Sequence, residues 1–231
     1  LYLGGGTPSR LGPRGVRRVL DSVRRRFPTV PGAEVTIEAN PEDVSAEDAQ
    51  AWRDAGVTRV SLGVQSFDDA VLRWMHRTHD AAQAEKAASI LKEASFDWSL
   101  DLIFALPPEV ERSWTNDLRR AIDLEPPHIS AYGLTVEPHT PLLRWRERGE
   151  IHEADEERYE QEFLEADHVL PAAGYDHYEV SNYARANRRA EHNSAYWRRV
   201  PYLGLGPSAH SSDGSVRRWN TREYAAWRDR T

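Results

Sequence analysis

Leu100-Asp101-Leu102-Ile103-Phe104-Ala105-Leu106 is an almost unbroken apolar run of strand length with a single carboxylate set inside it. Such a run reads as a buried strand of a parallel sheet, where both faces are covered and few polar positions are needed. Similar segments flank it. Leu1 to Leu3 reads as a strand end, Glu34 to Glu38 alternates as a strand, and Val57 to Val64 and His128 to Val136 supply two more. Helical patterns lie between them. From Pro13 onward, Val16, Val19, Leu20, Val23 and Phe27 fall at helical spacing on one face. Pro13 suits a first turn, where its missing N–H costs nothing. Ser45, with Asp48 three residues on, opens a helix that ends at Gly56. Asp68 to Met75 makes a short helix, Ala81 to Ala94 a longer one with Asp80 as N-cap, and Trp114 to Leu124 another. The interval between strands is near the ~30 residues of a βαβ unit. Repeated units of this kind build a parallel sheet with helices outside, closed or partly closed into a barrel.

The rhythm changes after Pro138. Asp155 to Leu170 is a strongly charged amphipathic helix, followed by the aromatic segments Tyr175 to Tyr183, His192 to Trp197 and Tyr202 to His210. The sequence therefore divides into a barrel over residues 1–150 and, over 151–231, the end of the barrel with the start of an accessory region that is begun but incomplete.

Composition narrows the function classes. With 39% hydrophobic and 29% charged residues the chain is an ordinary globular sequence. A formal charge of -7 argues against nucleic acid as the main partner. The Arg24-Arg25-Arg26 run reads as a solvated helix end that favours the helix dipole. No apolar run reaches the ~18–20 residues that cross a bilayer. There is no cysteine, hence no disulfide and no thiolate ligand for zinc or iron–sulfur within these residues. Leu1-Tyr2-Leu3-Gly4 reads as the end of a strand and not as a start, so the expectation is that further residues, with any targeting signal, precede it.

The odd polar groups fall in one kind of place. Gly4-Gly5-Gly6-Thr7, Glu38 with Asn40, Gln65, Asp101 and Thr135 with Glu137 all sit at or just inside the C-terminal ends of the strands. In parallel α/β barrels those ends converge on one mouth, where ligands bind. Asp101 is the sharpest case, since a carboxylate in such a strand must be paired or hydrogen-bonded. Arg77 or a hydroxyl-rich or cationic ligand would each satisfy it. His76 and His79 stand three apart without a third metal ligand, and read as surface or capping groups. Gly204, Gly206 and Ala209 mimic a dinucleotide fingerprint, but no βαβ unit follows them.

Taken in order, nine segments resemble the HemN/HemW group of the radical S-adenosylmethionine (SAM) superfamily. They are LYLGGGTP (Leu1 to Pro8), TIEANPE (Thr36 to Glu42), RVSLGVQSF (Arg59 to Phe67), RTHDAAQA (Arg77 to Ala84) and LDLIFALP (Leu100 to Pro107), then HISAYGLTVEPHTPL (His128 to Leu142), YEVSNYA (Tyr178 to Ala184), HNSAYW (His192 to Trp197) and YLGLGPSAH (Tyr202 to His210). The resemblance implies a partial (β/α)6 barrel that lacks its first strand and cluster loop, and the cofactors SAM and a [4Fe–4S] cluster. By the same resemblance, Gly5, Gly6 and Thr7 would line the methionine end of SAM. Glu38, Gln65 and Asp101 would bond its amino group or ribose hydroxyls, and Arg77 would pair with its carboxylate. The family's cluster cysteines lie upstream of GGGTP, so no metal ligand and no catalytic residue is assigned within this chain.

Two functions remain open under that resemblance. One is a haem chaperone of the HemW type, in the cytoplasm, which binds haem and hands it to acceptor proteins, with membrane contact only through those acceptors. The other is oxygen-independent coproporphyrinogen III dehydrogenase of porphyrin biosynthesis. HNSAYW followed by YLGLGPSAH resembles the HemW type more closely, and makes His192 the candidate haem ligand, with His210 a weaker one. A SAM-binding barrel with some other substrate is the third reading, and replacement of His192 would then leave ligand binding untouched.

Overall fold

Which side of each strand meets the helices is decided by alternation, because successive side chains of a strand point to opposite faces. Five strands follow in parallel: β1 (Tyr2–Leu3), β2 (Thr36–Ala39), β3 (Arg59–Gln65), β4 (Asp97–Phe104) and β5 (His128–Gly133). The architecture comes from a computed structural model that describes residues 1–138 and 140–229. His139, inside one of the motifs above, lies outside the described residues.

One face of the sheet carries Ile37, Ala39, Val60, Leu62, Val64, Trp98, Leu100, Leu102, Phe104, Ile129 and Ala131, all in the main core. The opposite face reads Thr36 and Glu38, then Arg59, Ser61 and Gly63, then Ser99 and Asp101, then His128 and Ser130. The register sets Glu38 beside Ser61 and Ser61 beside Ser99, and one step on sets Gly63 beside Asp101 and Asp101 beside Ser130. One face is therefore an apolar seat for helices and the other is a polar surface.

Helices α1 (Gly12–Arg26), α2 (Ala46–Asp54), α3 (Asp69–Trp74), α4 (Ala81–Glu93) and α5 (Trp114–Asp123) connect the strands. Their starts are set locally. The Ser45 side chain accepts from Asp48 N, and Asp80 with Gln83 forms a full capping box. The buried stripe of α1 is narrower than its spacing suggests. Val16 and Leu20 are fully buried, but Val19 and Phe27 are 40% and 44% exposed. β4 begins three residues before the apolar run, because Trp98 and Ser99 are buried as well.

After α6 (Pro141–Glu147), helix α7 (Glu156–Ala172) leads to β6 (Asp176–His177) and β7 (Asn182–Ala184). β7 pairs antiparallel with β5 and with β6, giving the order β1-β2-β3-β4-β5-β7-β6. The sheet thus ends in a hairpin and stays an open barrel. These elements form one unit, Leu1–Arg189; a second begins at Ala190. The second unit holds α8 (Glu191–Trp197), the hairpin β8 (His210–Ser212) and β9 (Arg217–Trp219), and α9 (Tyr224–Arg228). Gly204 to Ala209 precede a strand and no helix, consistent with their exclusion as a dinucleotide loop.

α5 and α7 are joined by a buried ionic knot. The Arg112 guanidinium lies 3.2 Å from Asp117 Oδ2 and 2.6 Å from Glu162 Oε2, with its side chain fully buried. Asp117 also accepts from Ser66 Oγ and Phe67 N, and Glu162 from Ala105 N. Removing the cation leaves Asp117 buried without a cationic partner, while Glu162 keeps Arg158; breaking a buried pair typically costs about 3–5 kcal/mol, whereas an exposed pair contributes about 1 kcal/mol or less. In urea unfolding, Arg112→Met should lose stability in the first range. Lys92→Ala, which breaks the exposed pair with Glu125, should barely move the midpoint.

Candidate functional site

The C-terminal end of β1 turns through Gly4, Gly5 and Gly6. Gly5 and Gly6 adopt φ of +81° and +89°, a left-handed backbone that glycine enters without strain, and a methyl group on either would meet open space. Glu38 of β2 ties down this turn. Its Oε2 accepts from Gly5 N at 3.0 Å and its Oε1 accepts from the Tyr2 hydroxyl. Thr7 caps the short helical turn Pro8–Leu11 without a side-chain capping bond.

A second group gathers at the end of β3. The register of β3 against β4 slips between Gly63 and Gln65, and Gln65 takes φ +70°. A bulge of this kind re-aims the side chain that ends the strand. Arg77, in the segment after α3, donates from Nη2 to Asn40 Oδ1 at 2.8 Å and to Gly63 O at 3.0 Å. A methyl group on Gly63 would stand 2.9 Å from Gln65 Nε2 and 3.2 Å from Arg77 Nη2. Glycine here is what lets the amide and the guanidinium share the space.

Asp101 lies next to Gly63 across the sheet. Its Oδ2 accepts from Ser61 Oγ at 2.7 Å, and Ser61 in turn accepts from Ser99 Oγ at 2.9 Å. Its Oδ1 is buried and has no hydrogen-bond partner among the described residues. Burial pushes the carboxyl up to about 6, the charge of Glu38 adds to the rise, and the hydroxyls of Ser61, Ser130 and Ser99 oppose it. Tyr2 and Tyr132 are raised too, first by burial, then by Glu38 for Tyr2 and by Asp101 for Tyr132. The carboxylates, phenols, guanidinium and amide thus occupy one rim. What such a rim can do is accept hydrogen bonds from hydroxyl or amino groups and pair a carboxylate with Arg77.

Gly5, Gly6, Glu38, Gln65, Arg77 and Asp101 come together here, with Thr7 beside the turn. Of the two partners open to Asp101, Arg77 is not the one. Its Nη2 is given to Asn40 and Gly63, and Ser61 holds the carboxylate. Thr135 bonds back to Gly133 O and lines a separate crevice of about 240 Å³ between the strand ends and α7. His79 is no surface group: it is 3% exposed, with Nδ1 3.2 Å from Glu42 Oε2 and Nε2 3.1 Å from Val64 O, and burial lowers its pKa. Tyr2, Ser61, Ser99, Ser130 and Tyr132 were not singled out by the sequence reading. Their signal was available as polar residues two apart along each strand, in step with Glu38 and Asp101.

At the N-terminal end of the same face, Arg59 pairs with Glu34 at 2.8 Å and donates to Arg188 O and Arg189 O. Buried His128 meets the Tyr178 hydroxyl at 2.8 Å, and burial pulls it down to about 3, so it stays neutral. In the second unit, His192 lies in the first turn of α8 with its ring 4.8 Å from that of Tyr196, which stands 4.7 Å from Tyr202, both edge-on. No group of three or more His, Asp or Glu able to hold a metal ion occurs among the described residues, and no helix there is long and apolar enough to cross a membrane.

Comparison with known proteins bears on this site. The radical SAM superfamily model matches residues 1–121. The chain is 38% identical over 212 residues to the haem chaperone HemW of Synechocystis, covering 91% of this chain and 52% of that protein. It is 40% identical over 223 residues to HemW of Mycobacterium tuberculosis, covering 96% and 57%. Among solved structures it is similar to the coproporphyrinogen III oxidase HemN of Escherichia coli, a radical SAM enzyme, with a TM-score of 0.79 at 25% identity, covering 96% of this chain and 54% of that one. The chain spans about half the length of these relatives.

Asp101 gives the site a pH signature. A carboxyl raised from 3.8 to about 6 binds its proton more tightly when folded, so its contribution is most favourable below its ordinary value and is lost as pH rises through about 6. The gap corresponds to roughly 2–3 kcal/mol. Asp101→Asn should therefore gain stability over the wild type by about that amount between pH 4 and pH 8, measured by urea unfolding at each pH; parallel curves would refute it.

Proposed function

The chain belongs to the radical SAM superfamily, and we propose that it is the SAM-binding barrel of a haem chaperone that holds haem and passes it to acceptor proteins. The observation that carries the chaperone reading is the 38–40% identity to HemW proteins over more than nine-tenths of the chain. The HNSAYW segment with His192 at its head supports it.

The residues present fit SAM. Asp101 Oδ1 is a buried acceptor without a partner, which is what a ribose hydroxyl or an amino group would complete. The turn at Gly5 and Gly6 leaves room for close approach to the backbone, with Thr7 next to it. Glu38 supplies an anionic acceptor, Gln65 an amide, and Arg77 a cation for the SAM carboxylate. When bound, SAM supplies an activated sulfonium and, on reduction, an adenosyl radical. The protein's part is to fix the nucleoside and keep it from water. The [4Fe–4S] cluster that the family implies finds no thiolate among these cysteine-free residues. His192 would be the protein ligand to haem iron, with Tyr196 and Trp197 beside it. The site of action is the cytoplasm, with membrane contact only through acceptors.

A second reading, oxygen-independent coproporphyrinogen III oxidase, is favoured by the structural likeness to HemN over 96% of the chain.

Two measurements test these readings. S-adenosylhomocysteine binding by calorimetry should weaken by about tenfold to a hundredfold in Asp101→Asn and in Glu38→Gln, the loss of a charge-assisted hydrogen bond. Titration with haemin should produce a Soret band that His192→Ala diminishes. No haemin binding, together with binding of coproporphyrinogen III, would select the oxidase.

A further inference from the structure

Gln65, the amide of the polar site, stands at the centre of a tight turn of the unfavourable hand. Its φ is +70°, and the Ser66 N–H donates across it to Val64 O at 2.9 Å. A turn closed in this way with positive φ is strained, and a residue other than glycine adds to the cost. Such strain persists only where the surroundings over-determine it. Buried groups from distant parts of the chain hold both arms of this turn. On one arm, Asp117 of α5 accepts from Phe67 N at 2.7 Å and from Ser66 Oγ at 2.8 Å. On the other, the Val64 carbonyl that closes the turn also faces His79 Nε2 at 3.1 Å.

The imidazole is itself held in place. A carbonyl oxygen can only accept, so Nε2 carries the hydrogen. Nδ1 faces Glu42 Oε2 at 3.2 Å, and the Thr78 hydroxyl donates to the other oxygen of that carboxylate. His79 is buried, whereas Glu42 is exposed. Two residues before His79, Arg77 donates to Gly63 O and Asn40 Oδ1. Consecutive carbonyls at the end of β3 are thus gripped by Arg77 and His79 from one short segment. Resting on the SAM reading above, we propose that His79, braced by Glu42, is a positioning residue of that site. It touches no ligand; it holds the Val64 carbonyl, and so keeps the strained turn that aims Gln65 in register with Arg77.

The test measures S-adenosylhomocysteine binding by calorimetry in His79→Gln, His79→Asn and Glu42→Ala, each first shown to fold by urea unfolding. A glutamine amide reaches the place of Nε2 and an asparagine amide only that of Nδ1. The first therefore keeps a donor for Val64 O and the second loses it. His79→Asn should weaken binding by about tenfold, and His79→Gln by about threefold or less. A role in packing alone predicts equal affinities in the two folded variants. Glu42→Ala, at an exposed position, should weaken binding by about threefold or more. Loss of its charge alone would act in the opposite sense, because the site pairs a ligand carboxylate with nearby Arg77. If either His79 variant does not fold, Glu42→Ala decides by itself. Equal affinities in the two His79 variants, or binding as tight as wild type in Glu42→Ala, overturns the positioning role and leaves the SAM reading standing. Failure of the wild type to bind S-adenosylhomocysteine overturns the SAM reading, and the positioning role with it.

Discussion

A carboxylate placed inside a parallel sheet is the constraint on which this molecule turns. Asp101 sits in β4 between Gly63 on one side and Ser130 on the other, and its charge must be met by something other than water. Ser61 of the neighbouring strand meets one oxygen. The other remains a buried acceptor. A residue held at that cost, at the mouth of an open barrel, is better explained by a ligand that completes it than by its contribution to the fold.

The rest of the polar face is arranged around that group. Its N-terminal half is electrically quiet, with Arg59 balanced by Glu34 and His128 kept neutral by burial. Its C-terminal half carries two carboxylates and one guanidinium near the strand ends, where Gly63 leaves room for the Gln65 amide and the Arg77 guanidinium. The opposite face of the same strands is fully apolar and fixes the helices. Period two in the sequence therefore does both jobs: it seats the helices on one side and gathers the site on the other.

Much of this was legible in the sequence. Capping at Ser45 and Asp80, the strand–helix rhythm, and the collection of Glu38, Gln65 and Asp101 at strand ends follow from local chemistry and the geometry of parallel barrels; Arg77 was assigned to the site only through the family resemblance. Three things were not. The partner of Asp101 depends on register, and register between distant strands cannot be read from either strand alone. His79 and Arg112 are buried through contacts with Glu42 and with Asp117 and Glu162, set by helix packing. The antiparallel end of the sheet, β7 against β5, arises from strands of two or three residues, too short for a periodic signal. Val19 and Phe27 show the opposite failure: correct spacing, but a helix that buries only its central stripe.

The most direct measurement is a crystal structure of the protein with S-adenosylhomocysteine. The account predicts a ribose hydroxyl or the amino group within hydrogen-bond distance of Asp101 Oδ1, with the ligand carboxylate at Arg77. A ligand bound elsewhere, with Oδ1 bridged to the protein by an ordered water, would contradict it.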